Sequence, residues 1–245
     1  MIGFARADNW STFLYFIRSF REELGNPETV WYRGQSSVDY KLVPSLLRKK
    51  NGFEKERDLF QEYQKSAARL HPARGNDWQL LFDMQHYGLP TRLLDWTTVL
   101  GVAVTFAVYD GRDDEDSAIY ILNPTTLNKR SGVKGIRRVP EDGQNYEYKQ
   151  MYWEGKPAIP SLPIAIDSNF QNDRIAAQNG TFTVHGTELE PFDSSMDNYV
   201  FRVILGHSAK REAREFLEYA NLNAFSIYPD MVGMVHHLNM KFFRD

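Results

Sequence analysis

Cysteine is absent from the 245 residues, which excludes disulfides, thiolate metal sites and a thiol nucleophile. The six histidines never fall in H-E-x-x-H spacing, and adjacent His236 and His237 would point to different faces of a helix, so zinc is not expected. No apolar run approaches the ~18 residues of a membrane span, and the opening residues lack the apolar stretch of a signal peptide. The expectation is a cytoplasmic location with no membrane partner. Charge of neither sign dominates: 29 Lys and Arg stand against 32 Asp and Glu, a formal net charge of -3. That argues against a chain devoted to nonspecific nucleic-acid binding, although it leaves room for a local basic groove. Also missing are G-x-G-x-x-G, Walker A, G-x-S-x-G and the kinase motifs, any internal repeat, and any evident linker. What remains is 42% hydrophobic, enough for one large domain with a substantial core.

The stretch from Gln85 to Thr97, QHYGLPTRLLDWT, reads least like packing material. Before it, Trp78, Leu81, Phe82 and Gln85 recur at helical spacing after Asn76, a good N-cap, and Gly88 followed by Pro90 is a helix stop. His86 and Tyr87 then fall in the last turn, where the carbonyl end favours a charged imidazole. Thr91 to Leu94 reads as a short extended run. Val99 to Val108 is apolar almost all round and should be a buried helix capped by Thr97. This reading sets Asp95, Trp96 and Thr97 at a helix N-terminus, where free N–H groups attract anions. The rival reading pairs Arg92 with Asp95 as a buried structural ion pair and leaves Trp96 to fill a core.

Elsewhere, Trp10 to Leu24 carries a helical apolar stripe, and Thr29 to Tyr32 is a strand ending in Arg33-Gly34-Gln35. Gly34 there would let backbone or ligand approach closely. Phe53 to Leu70 is a helix with one buried face, and Ala118 to Leu122 is a strand. The polar segment Lys129 to Lys156 reads as a mobile lid or a long surface insertion, and Ala158 to Ile166 as an edge. Arg174 and Gln178 share a face if their segment is helical. Thr181 to His185 and Tyr199 to Leu205 are strands, and Ser208 caps a helix running through Tyr219. Ala224 to Tyr228 is read as a strand, Pro229-Asp230 opens a last helix, and Lys241 to Phe243 is read as a final strand. The irregular alternation fits a single α+β domain over 1–245, with mixed or split antiparallel sheets flanked by helices.

Trp31-Tyr32-Arg33-Gly34-Gln35, the 85–97 block, Arg174 through Gly186, and Tyr228-Pro229-Asp230 together resemble the FRG domain family, named for its aromatic-Arg-Gly signature. A more distant similarity is to ADP-ribosyltransferases, whose site begins with an aromatic-Arg-Gly strand. Their Ser-Thr-Ser block leads into a helix ending Ala-x-x-Phe-Ala, over which Ala103 to Ala107 can be laid. That similarity implies an ADP-ribosyltransferase-like fold with NAD as substrate. In it Arg33 would hold the pyrophosphate through a bidentate fork, Thr97 would orient the nicotinamide ribose, and Tyr87 or Trp96 would stack on a ring. The transferase glutamate maps near Arg174 or Gln178, where no acid stands, which leaves Asp95 and Asp230 as the candidate carboxylates.

The expectation is therefore a nucleotide or dinucleotide cleft acting in ADP-ribosyl transfer or NAD cleavage, toward a protein or nucleic-acid acceptor. Its chemistry is assigned to Arg33, His86 as proton carrier, and Asp95 or Asp230. Its binding walls are assigned to Tyr32, Gly34, Gln35, Gln85, Tyr87, Arg92, Trp96, Thr97, Arg174 and Gln178. The rivals are a noncatalytic module gripping a nucleotide or a nucleic-acid end, and a structural network around Arg33, Arg92 and Asp95.

Overall fold

A computed structural model describes residues 3–68, 76–109, 112–139, 147–156, 160–168, 172–187 and 199–243. Its strands are β1 (Phe4–Ala7), β2 (Trp31–Gln35), β3 (Leu93–Thr97), β4 (Ser117–Leu122), β5 (Arg137–Val139), β6 (Ile164–Ser168), β7 (Gly180–Val184) and β8 (Val200–Leu205). The helices run in order α1 (Trp10–Glu23), α2 (Gly52–Ala67), α3 (Asp77–His86), α4 (Leu100–Val108) and α5 (Pro124–Arg130). They continue with α6 (Tyr148–Tyr152), α7 (Asp173–Gln178), α8 (His207–Tyr219), α9 (Ala224–Ile227) and α10 (Met231–Phe243).

The strands form one mixed sheet in the order β1-β8-β4-β2-β3-β7-β6-β5, so the α+β expectation holds. Its centre is antiparallel, and the edge pairs β1/β8 and β5/β6 are parallel. One face is covered by two groups of helices. α1, α4 and α8 bury Phe13, Ile17, Val104, Ala213 and Leu217 against Tyr32, Ile119, Ile121 and Val203. α2, α3 and α6 bury Phe60, Trp78, Phe82, Tyr148 and Tyr152 against Leu93, Phe182 and Val184. The alternate residues Trp31, Leu94, Trp96, Tyr120 and Leu122 face the other way and pack with Leu42, Leu127 and Tyr199. This division follows from the two-residue period of a strand, which makes every buried strand contribute to two layers.

The sheet is weakest at its middle. β2 pairs with β4 along its whole length and β3 with β7 likewise, but β2 and β3 share only the pair Tyr32↔Thr97. Immediately beside that joint, α4 lies directly on the β2 backbone. A Cβ on Gly34 would stand 1.8 Å from the Ala103 carbonyl oxygen, so the missing side chain is what lets the helix seat on the strand.

Several expectations are corrected. Asp95, Trp96 and Thr97 belong to β3 and not to a helix N-terminus; α4 begins at Leu100 with Val99 as its N-cap and no side-chain cap. Arg33 sits in the middle of β2, not at a strand end. Residues 224–227 are helical because Asn223 and Ser226 form a capping box, with Tyr228 as the C-cap, and 241–243 continue α10. Within the 129–156 segment, Val139, Tyr148, Met151 and Tyr152 enter the core, against the expected surface insertion; residues 140–146 lie outside those described. Among the described residues, no helix is long and apolar enough to cross a membrane.

Candidate functional site

The joint between β2 and β3 opens into a pocket of about 140 Å³ lined by Tyr32, Arg33, Gly34, Asp95, Trp96, Thr97, Phe106, Arg174 and Gln178. The two distant parts of the chain that the sequence singled out thus face a common hollow. Beyond the Tyr32↔Thr97 pair the strands diverge, and the Arg33 side chain fills the gap. Its Nη1 donates to the Asp95 carbonyl at 2.6 Å and lies 3.6 Å from the Asp95 carboxylate. Burial draws the Arg33 pKa below its ordinary value, opposed by Asp95, yet a guanidinium stays charged across the physiological range. Its Nε is buried and carries no hydrogen bond.

Asp95 is half exposed, and both of its oxygens accept from Gln85 Nε2, at 3.0 and 2.9 Å. Gln85 reaches it from the last turn of α3. That helix starts with Asn76 accepting the Gln79 N–H and is released by Gly88 at φ +81°. Thr97 donates to the Gln178 carbonyl at 2.6 Å and accepts the Val99 N–H at 3.0 Å, so its hydroxyl ties β3 to α7. On α7, Gln178 donates to the Ile227 carbonyl, and Arg174 lies over the Tyr228 ring at 4.7 Å while donating to the His86 carbonyl. Two guanidinium groups and one carboxylate therefore border the pocket.

The remaining site candidates take other places. His86 is reached through its backbone, and its imidazole is drawn below the ordinary value by burial and then by Arg174, against the expected helix-end effect. Tyr87 is exposed and edge-on to His86. The Trp96 ring is 3% exposed and bonded through Nε1 to Thr183, so it packs the core where a stacking platform was expected. Gln35 is buried with its Oε1 lacking a hydrogen-bond partner. Asp230 caps α10, accepting the Gly233 N–H at 2.8 Å, and does not line the pocket.

Arg92 departs furthest. It pairs in a fork with Glu56 and not with Asp95, donates to the His185 carbonyl at 3.0 Å, and lies between the rings of Phe53 and Tyr152 at 4.7 and 4.6 Å. Burial works against its charge, and the hydrogen bonds to Glu56 together with the electrostatic influence of Tyr148, Glu56 and Tyr152 more than offset this, leaving the pKa raised. It borders a different hollow of about 540 Å³ with Phe53, Tyr152 and Trp153. Sequence reasoning missed Glu56, Tyr148, which donates to Glu56, and His185. Phe106 and Tyr228, named there only as parts of resembling segments and given no role, stand at the Arg33 pocket.

These features define a class: an α+β protein with one mixed sheet, thinly joined at its middle, and a pocket there bordered by two arginines and a carboxylate. The family model described as FRG domain matches residues 28–116, so the chain carries an FRG domain over that span. The match includes Arg33, Gln85, Asp95 and Thr97 and stops before Arg174 and Gln178. No curated protein and no solved structure matches the chain.

Proposed function

We propose that the Arg33 pocket binds the phosphate and ribose end of a nucleotide, with NAD as substrate and ADP-ribosyl transfer or NAD cleavage as the reaction. The observation that carries this reading is the Arg33 guanidinium held in the open joint between β2 and β3 with its Nε unsatisfied and Arg174 across the pocket. A phosphate oxygen suits that pair, because charge-assisted bonds to guanidinium are among the strongest available to an anion. The volume fits one such group and its sugar, with the rest of a dinucleotide extending outside. Loss of nicotinamide builds positive charge on the ribose, and Asp95, held by Gln85, is the carboxylate placed to stabilise it. The wall combines Arg33 and Asp95 with Arg174 and Gln178, which is why we take 1–245 as a single FRG-type domain.

Calorimetry with NAD and ADP-ribose, alongside chromatography of released nicotinamide, tests this. The expected result is binding that weakens about 10- to 100-fold in Arg33→Ala, with turnover lost in Asp95→Asn. Absence of both binding and nicotinamide release removes the proposal. One observation favours a noncatalytic module instead: among the described residues Asp95 is the only carboxylate lining the pocket, and Arg33 and Gln85 already engage it. Ligand recovered unchanged after prolonged incubation, with binding intact, selects that reading.

A further inference from the structure

Helix α10 is mounted with its more apolar side outward. Gly233, His236, His237 and Met240 face the body; a Cβ on Gly233 would stand 1.9 Å from the Tyr228 carbonyl oxygen. Met231, Val235, Leu238 and Phe242 face solvent and are 69, 50, 41 and 67% exposed. A surface helix ordinarily does the reverse. With Val232 and Phe243 beside them, these side chains form a patch on the order of 600 Å², at the upper end of what monomers leave uncovered and close to one partner's ~800 Å² share of a standard interface.

We propose that α10 docks antiparallel against α10 of a second copy of this chain. The exposed residues are spaced four, three and four apart, the seam spacing of helices that pack along their length. That spacing reads the same in both directions, so a two-fold axis near its centre sets Met231 opposite Phe242 and Val235 opposite Leu238, leaving no apolar seam residue unmatched. Asp230 precedes the first turn and Lys241 lies in the last, so antiparallel docking brings the acidic end of one helix toward the basic end of the other. A lipid surface is disfavoured as occupant, because Lys241 is the only Lys or Arg in α10 and, among the described residues, no basic face flanks the stripe.

Sedimentation of the purified chain across micromolar concentrations is expected to give the mass of two chains, and Leu238→Glu the mass of one, still folded by circular dichroism. The lack of cysteine makes cross-linking unambiguous: mixed M231C and F242C proteins should join through a disulfide, while M231C alone should not. A wild-type monomer at every concentration overturns the proposal. So does flotation with anionic vesicles without dimer formation, or efficient self-joining of M231C, which only a parallel arrangement allows.

Discussion

His185 and Glu56 carry the largest residue-level consequences, and neither was given a role in the sequence, although His185 lies within the Arg174 to Gly186 block. Burial, then Arg92 and Arg33, pushes the His185 imidazole down to about 3. In the unfolded chain the same group titrates near 6.5, so below that pH the unfolded state takes up a proton that the native state refuses. Stability contributed above pH 6.5 is therefore lost as pH falls toward 3. Between pH 7 and 4 this amounts to about 3 kcal/mol, and His185→Asn should shrink the pH-dependent loss in urea unfolding by that amount. Equal losses in the two proteins would contradict the assignment. Glu56→Gln should cost about 3 kcal/mol, because it leaves the buried Arg92 without its countercharge, and a urea midpoint matching wild type would refute it. The sequence pointed to Arg33, Asp95, Thr97, Arg174 and Gln178, which do share one pocket, because clustered polar residues beside glycine stand out locally. Arg92 was misplaced for the opposite reason: its partner lies 36 residues upstream on a helix legible only through its apolar face.

Strands and helices with clean periodicity were readable, as α3, α4, β4, β7 and β8 show. Errors arose where short-range signals conflicted. Ala224 to Tyr228 alternates like a strand, but the capping box at Asn223 closes it as a helical turn. β3 was cut short because its polar Asp95 and Thr97 resemble capping residues, whereas pairing with β7 keeps the whole segment extended. Contact between elements also recasts the aromatic-Arg-Gly signature. Its glycine serves the seating of α4 on β2, and its arginine serves the joint. Gly34→Ala should push α4 off the sheet, costing about 3 kcal/mol or more in urea unfolding, since the added carbon meets backbone and not a yielding side chain. Wild-type stability in that variant would show that the packing relaxes at no cost.

Across the molecule, order should be graded along the sheet. β4 is buried at all six positions between β2 and β8, while β5 is a three-residue edge paired, among the described residues, only with β6. Amide exchange in 117–122 should be slower than in 137–139 by roughly 100-fold or more, and comparable rates would show that the sheet opens as a unit. The strand order itself was not legible, because it joins segments far apart in the chain, such as β1 with β8. The lone rung between Tyr32 and Thr97 couples shape to occupancy. The guanidinium that bridges the parted strands is the same group that the proposed phosphate would share with the Asp95 carbonyl, so binding there should alter the strands' separation. Spin labels on either side would then register the guest as a change in width.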